Sequence, residues 1–275
     1  MLVRMNRNSG FTLIELAMVI FIVGLLLGGL LAPLSSRLDQ ENRAKTRDYL
    51  KDVKESILGY AIINGRLPCP DCPDSNSPCT TGTPNDGIQD RVSGVVGGES
   101  GMICETYVGN IPWVDLQVNE FDSWDRHLTY RVTAEFADDI SGTPGSGYCD
   151  TPTIGISFEL CAQGDIDIYD TYMVPGSYPM PPTVAENVPA IIISHGKDGY
   201  DSSQTNVEVE NYDRQPVNPA TGANILGSYT ASDYSSNIFI MKDYDSEGSD
   251  AFDDLVDWLS PNILMNKMVV SGKLP

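Results

Sequence analysis

Cysteine is the residue type with the widest chemical reach in this chain, and its spacing invites two readings. Cys69 and Cys72 stand in Pro68-Cys69-Pro70-Asp71-Cys72-Pro73, with Cys79, Cys104, Cys149 and Cys161 following. Four thiolates can hold tetrahedral zinc, and a Cys-x-x-Cys pair can run thiol–disulfide exchange when a helix N-terminus lowers one thiol pKa. Here the surrounding prolines make the pair a loop. All six cysteines also lie downstream of a long apolar segment, the placement of an oxidising compartment, where disulfides displace zinc. Cys149 and Cys161 bracket an expected strand and form the preferred disulfide. The pairing of Cys69, Cys72, Cys79 and Cys104 stays open, because connectivity is not readable from sequence.

Acidic clusters are the second resource. Asp243-x-Asp245-x-Glu247-Gly248, with Asp254 at the twelfth place, resembles an EF-hand loop, whose closely spaced carboxylates can supply calcium with oxygens. It departs from that pattern with Glu at the fifth place and Asp at the twelfth. A helix is expected to follow, and Asp250, Asp253 and Asp254 would equally suit the positive end of its dipole. His127 and His195 are the only histidines, and neither a Gly-x-Ser-x-Gly elbow nor a His-Glu-x-x-His motif accompanies them, so no catalytic residue is expected. Gly94-Val95-Val96-Gly97-Gly98 lacks the Lys-Ser/Thr of a phosphate loop and reads as turn material. Trp113, Trp124 and Trp258 could present a binding face, but large aromatics more commonly fill a core. Seventeen basic residues against 38 acidic ones leave a net charge of -21, which repels nucleic acid; no nucleic-acid partner is expected.

These residues depend on how the chain is anchored. From Phe11 to Leu34 the sequence is apolar except for Glu15, and at about 1.5 Å per residue it spans the roughly 30 Å hydrocarbon core of a membrane. Arg4 and Arg7, with no acids beside them, place the preceding residues in the cytoplasm and everything after Leu34 outside. A cleaved secretory signal would be shorter and would end in a small-x-small site, whereas Leu30, Leu31 and Ala32 precede Pro33 here. Glu15 then needs an explanation, because a carboxylate in a membrane helix costs roughly 2.5–3.5 kcal/mol unless it is neutralised or paired.

Gly10-Phe11-Thr12-Leu13-Ile14-Glu15 resembles the prepilin peptidase signature of type IV pilins and type II secretion pseudopilins. The resemblance implies cleavage between Gly10 and Phe11, N-methylation of Phe11, and pairing of Glu15 with the new amine of a neighbouring subunit. Cleavage would create at Phe11 the positive charge that Glu15 lacks. Ser9 departs from the Lys or Arg common at that place in relatives. Further segments are similar to prepilin-type proteins: Gly65-Arg66-Leu67-Pro68-Cys69-Pro70, Ile111-Pro112-Trp113, Asp122-Ser123-Trp124-Asp125, Leu128-Thr129-Tyr130, Ile193-Ser194-His195-Gly196 and Phe252-Asp253-Asp254-Leu255-Val256. The Asp-x-Trp segment resembles an Asp-Pro-Trp-Gly turn of major pseudopilins, with Asp125 in place of the glycine. Calcium in a C-terminal loop of related pseudopilins makes Asp198 and Asp201 an alternative metal site to Asp243, Asp245, Glu247 and Asp254. No other cofactor is implied.

The expected organisation is a leader at 1–10, a transmembrane helix at 11–36, an amphipathic continuation at 37–64 and an extracytoplasmic head at 65–275. Leu50, Val53, Ile57 and Ala61 recur at helical spacing, and Asn64-Gly65 followed by Pro68 is a helix stop. Gly24, Gly28, Gly29 and Pro33 weaken the membrane half, so a kink or break is expected there. Strands are expected at Leu128 to Thr133, Ile154 to Leu160, Ala190 to Ser194 and Asn237 to Met241, with long surface loops near 71–102 and 200–235. Together these give an α+β, pilin-like fold, a long helix laid on an antiparallel sheet. The expected role is a structural subunit, of the minor kind, of a type IV pilus or type II secretion-like filament, and its expected partners are prepilin peptidase, an inner-membrane assembly platform, other pilin or pseudopilin subunits and membrane lipid. A tip adhesin or substrate-binding module is the alternative, and a tethered extracytoplasmic enzyme is disfavoured by the missing nucleophile constellation. Its place would be the bacterial inner membrane, single-pass, then a periplasmic or surface filament.

Overall fold

The computed structural model describes residues 12–73, 79, 82–96, 99–138, 158–160, 162–171, 182–199, 211, 237–245 and 251–274. It divides into two compact units, Met1–Ala44 and Lys45–Pro275. Helix α1, Leu13–Asn64, contributes to both. In the first unit the helical backbone continues through Gly24, Gly28, Gly29 and Pro33. The break expected there is absent, since a proline deletes one hydrogen bond without having to end a helix held by its neighbouring turns. Apolar side chains from Leu13 to Leu26 are exposed along this stretch, Leu13 at 87% and Phe21 at 69%. Among the described residues no helix is long and apolar enough to cross a membrane, so the span at 11–36 is an expectation of the sequence.

The second unit is built in layers. The outer end of α1 stops at Asn64 as expected, with Gly65 at φ 72° in the left-handed conformation that ends helices. Leu50, Val53, Ile57 and Ala61 form a buried stripe that packs with Tyr130, Val132, Ala190 and Ile192. Those four belong to the sheet β3 (Val108–Asn110), β4 (Thr129–Val132), β7 (Ala190–Ser194) and β9 (Leu255–Leu259), in the order β3-β4-β7-β9, antiparallel throughout. Strand β7 is buried along its whole length. Because successive side chains point to opposite faces, Ala190 and Ile192 meet the helix layer while Ile191 and Ile193 join a second core. That core holds Ile166, Ile168, Val188, Phe239 and Ile240 from β5 (Ile166–Tyr169), β6 (Thr183–Val188) and β8 (Ile238–Ile240). Here β5 runs antiparallel to β6 and parallel to β8. The result is α+β.

Smaller elements complete the unit: the hairpin β1 (Arg91–Val96) and β2 (Glu99–Cys104), the short helices α2 (Trp113–Leu116) and α3 (Ala134–Ala137), and α4 (Pro261–Val270). Pro261 opens α4, where its missing N–H costs nothing, and Leu264 and Met268, four apart, are its buried anchors.

Two further sequence expectations are corrected here. The segment 71–102 is not one long loop: Gly94, Val95 and Val96 lie in β1, where cross-strand bonds override the glycine-rich composition. Residues after Asp254 form a strand, not a helix, because Leu255–Leu259 pairs residue for residue with β7. The strands expected at 128–133, 190–194 and 237–241 are present as β4, β7 and β8. Leu160 lies in a turn, Phe158 and Glu159 carry no strand, and 154–157 fall outside the described residues.

Ile57 is 1% exposed on the α1 stripe, and Ile63, on the same helix, is 75% exposed. Ile57→Ala is expected to cost about 2–5 kcal/mol in denaturant unfolding, and Ile63→Ala no more than about 0.5 kcal/mol.

Candidate functional site

The start of α1 is built by the Thr12-x-x-Glu15 spacing, in which a hydroxyl residue precedes the first turn and a glutamate lies three places on. Glu15 Oε2 accepts a bond from the Thr12 backbone N–H at 2.9 Å and from the Thr12 hydroxyl at 2.8 Å. The Glu15 N–H in turn reaches Thr12 Oγ1 at 3.4 Å. Glu15 therefore has hydrogen-bond donors within its own chain, a partner the sequence reading overlooked although the capping-box spacing was legible. These donors are neutral dipoles, so the formal charge of Glu15 remains. Gly10 and Phe11 fall outside the described residues.

In the head, the cysteines are resolved where they are described. Cys69 bonds Cys104 and Cys72 bonds Cys79, so the Cys-x-x-Cys pair is split between two disulfides and offers neither four free thiolates for zinc nor a redox dithiol. The preferred pair, Cys149 and Cys161, lies outside the described residues.

The disulfide region carries a constellation that sequence patterning did not single out. Carboxylates there accept backbone N–H groups of the segment between Cys72 and Gln89: Asp90 from Cys72 (2.8 Å), Glu105 from Gly82 (3.0 Å), Asp71 from Gly87 (3.1 Å) and Asp115 from Gln89 (2.9 Å). Gly82 and Gly87 are required by close approach. A Cβ on Gly82 would lie 1.8 Å from Asp90 Oδ1, and one on Gly87, at φ +77°, would lie 2.4 Å from the Trp113 ring. Burial, with help from Asp90 and Asp86, pushes the Asp71 carboxyl up to about 7; burial also raises Asp90. Asp138 is raised by burial as well, although it accepts the Cys104 N–H and the Tyr107 hydroxyl.

Both histidines are locked in place. His127 is stacked on Trp113, with ring centroids 4.8 Å apart, flanked by Phe121, and meets Glu120 at 3.1 Å. His195, 1% exposed, places Nε2 2.9 Å from Thr129 Oγ1 and Nδ1 3.4 Å from Asp254 Oδ1. This acid–imidazole–hydroxyl order resembles that of a hydrolase triad, but all three groups are buried. Their role is cohesive: they join β4, the end of β7 and the start of β9. The neighbouring Asp122-Ser123-Trp124-Asp125 turn docks there too, with Asp122 accepting the Trp124 and Arg126 N–H groups and the Ser194 hydroxyl at 2.6 Å. Asp125 sits at φ 59°, the conformation that favours the glycine of the resembling turn.

The acids expected to bind calcium are described only in part. Asp243 and Asp245 are exposed, and Asp245 pairs by its backbone with Phe252. Asp254 is buried, bonded by Asn211 at 2.9 Å and facing His195, so its oxygens are engaged inside the head. Asp198 is exposed; Glu247 and Asp201 fall outside the described residues. Trp113 is a core residue, and Trp124 and Trp258 are partly buried against the two cores.

Comparison with known proteins bears on the first site. Residues 5–31 match the family model of the prokaryotic N-terminal methylation motif, the prepilin-type signature of type IV pilins and pseudopilins. No curated protein and no solved structure matches the chain.

Asp71 supplies a pH test. An acid whose folded pKa is raised opposes folding when ionised, so its cost is absent below its ordinary value of 3.8 and complete above about 7. In metal-free buffer, the melting temperature of Asp71→Asn should gain on that of the parent as pH rises through this window. An offset that is the same at pH 4 and pH 8 would contradict the assignment.

Proposed function

We propose that this chain is a structural subunit, of the minor kind, of a type IV pilus or type II secretion-like filament. The observation that carries the reading is the methylation motif at residues 5–31, centred on the glycine–phenylalanine junction and Glu15. Prepilin peptidase cuts between Gly10 and Phe11 and methylates the new amine of Phe11. Until then the apolar run holds the chain in the inner membrane, with the head outside. An assembly platform then draws it from lipid into a filament, where Glu15 answers the Phe11 amine of an adjoining subunit.

Four features support this. The exposed apolar face from Leu13 to Leu26 has the character of a surface to be covered by lipid or by other helices. In the head, the outer α1 stripe lies on an antiparallel sheet, the arrangement expected of a pilin-like fold. Disulfides suit an oxidising compartment. The buried state of the His195 relay favours a structural role over catalysis.

Co-expression with a prepilin peptidase followed by mass spectrometry tests the reading. The mature chain should begin at Phe11 and carry one added methyl group on its amine; a chain that retains Met1 through Gly10 under these conditions would contradict it.

A further inference from the structure

Asp71 and Asn110 face each other across an isolated antiparallel bridge, joined by Asp71 N–H to Asn110 O at 3.0 Å and Asn110 N–H to Asp71 O at 2.8 Å. Opposed residues in such a pair project their side chains to one face. Both turn toward the same short segment: Asp71 Oδ2 accepts the Gly87 N–H, and Asn110 Nδ2 donates to Asn85 Oδ1 at 2.6 Å. One oxygen of each is left over. Asp71 Oδ1 and Asn110 Oδ1 have no hydrogen-bond partner, and their residues are 0% and 1% exposed. Two buried acceptors on opposed residues of one bridge, with only the Asp86 N–H acting on the Asp71 carboxylate besides that of Gly87, favour a positive centre. The charges acting on this place are acidic, Asp86 and Asp90 on Asp71, and Asp86 and Glu105 on Asp90.

We propose that Asp71 Oδ1 and Asn110 Oδ1 are the anchoring ligands of a hard divalent cation of the calcium class, with the Asp86 and Asp90 carboxylates supplying further negative charge. Calcium accepts six to eight oxygens in irregular arrangements and mixes carboxylate, amide and water ligands freely, whereas magnesium holds to an octahedron and keeps its water. Cys72 is no thiolate ligand, being bonded to Cys79. The cation would clamp the segment carrying that disulfide onto β3 at Asn110. These residues are distinct from the acidic loops at 198–201 and 243–254.

The test uses the full chain in detergent micelles after chelation. Calcium should raise its melting temperature, and Asp71→Asn should weaken calcium binding by at least about tenfold, the least that losing even an outer-shell partner of a metal costs, while Asp245→Asn leaves it unchanged. Asp71→Asn must melt cooperatively without metal for this comparison; a second measurement avoids the substitution altogether. Gly87 lies between Asp71 and the Trp113 ring, so terbium bound here should luminesce on tryptophan excitation. Trp113→Phe should remove that emission and keep the calcium-induced shift in melting. The proposal is overturned if Asp71→Asn binds calcium as tightly as the parent, or if terbium emission survives Trp113→Phe. It is likewise overturned if calcium at 5 mM changes nothing, since about 1 mM marks the weak end of extracellular calcium modules.

Discussion

One carboxylate sets the terms for the amino-terminal half of this protein. Glu15 sits in the first turn of a helix whose other residues there are apolar, and burying such a group without partners is costly whether the surroundings are lipid or packed helices. Thr12 meets part of the demand through its backbone N–H and its hydroxyl. Dipoles solvate a charge without cancelling it, however, and a neutral surrounding would still favour a nearby cation. Under the proposed processing, the amine released at Phe11 would be the one positive charge that cleavage itself creates next to this helix start. In the proposed function, maturation and assembly would thus be linked by electrostatics, since the cut that frees the subunit would also make the counter-charge.

The head depends on a different constraint, the burial of β7 on both faces. Ala190 and Ile192 hold the α1 stripe, and Ile191 and Ile193 hold the second sheet. Polar groups at the margins then fix the register. Arg131 donates to Asp165 at 2.7 Å and to Asn237 at 2.8 Å, tying β4 to the approaches of β5 and β8, while His195 and Asp254 close the far end of β7 onto β9. Lys54 reaches Asp257 at 2.6 Å and binds α1 to the outer strand. Each contact lies next to a layer boundary where slippage by one residue would exchange the two faces of a strand.

How much of this was legible depended on whether a signal was local. The α1 stripe and its stop at Asn64 followed from periodicity and punctuation, and Ala190–Ser194 was readable as a run of β-branched residues. The Gly10–Glu15 signature was legible because the methylation motif is a contiguous segment, matched at residues 5–31. By contrast, β1 was hidden by its glycines, and Leu255–Leu259 read as a helix behind acidic residues until its pairing with β7 decided otherwise. The disulfide partners of Cys69 and Cys72 lie at different sequence distances, and only folding chooses between them. The Asp71–Asn110 face and the His195 relay join residues far apart in the chain, with no spacing to betray them.

The most direct measurement of the central claim is the incorporation of Glu15→Ala into filaments in cells that also make the remaining subunits. Quantitative blotting of sheared filaments against whole-cell protein would report it. The variant should be cut between Gly10 and Phe11 and accumulate in the membrane as the parent does, yet be depleted from the filaments. Incorporation at the parental level would show that the carboxylate needs no amine across the subunit boundary and would contradict the account.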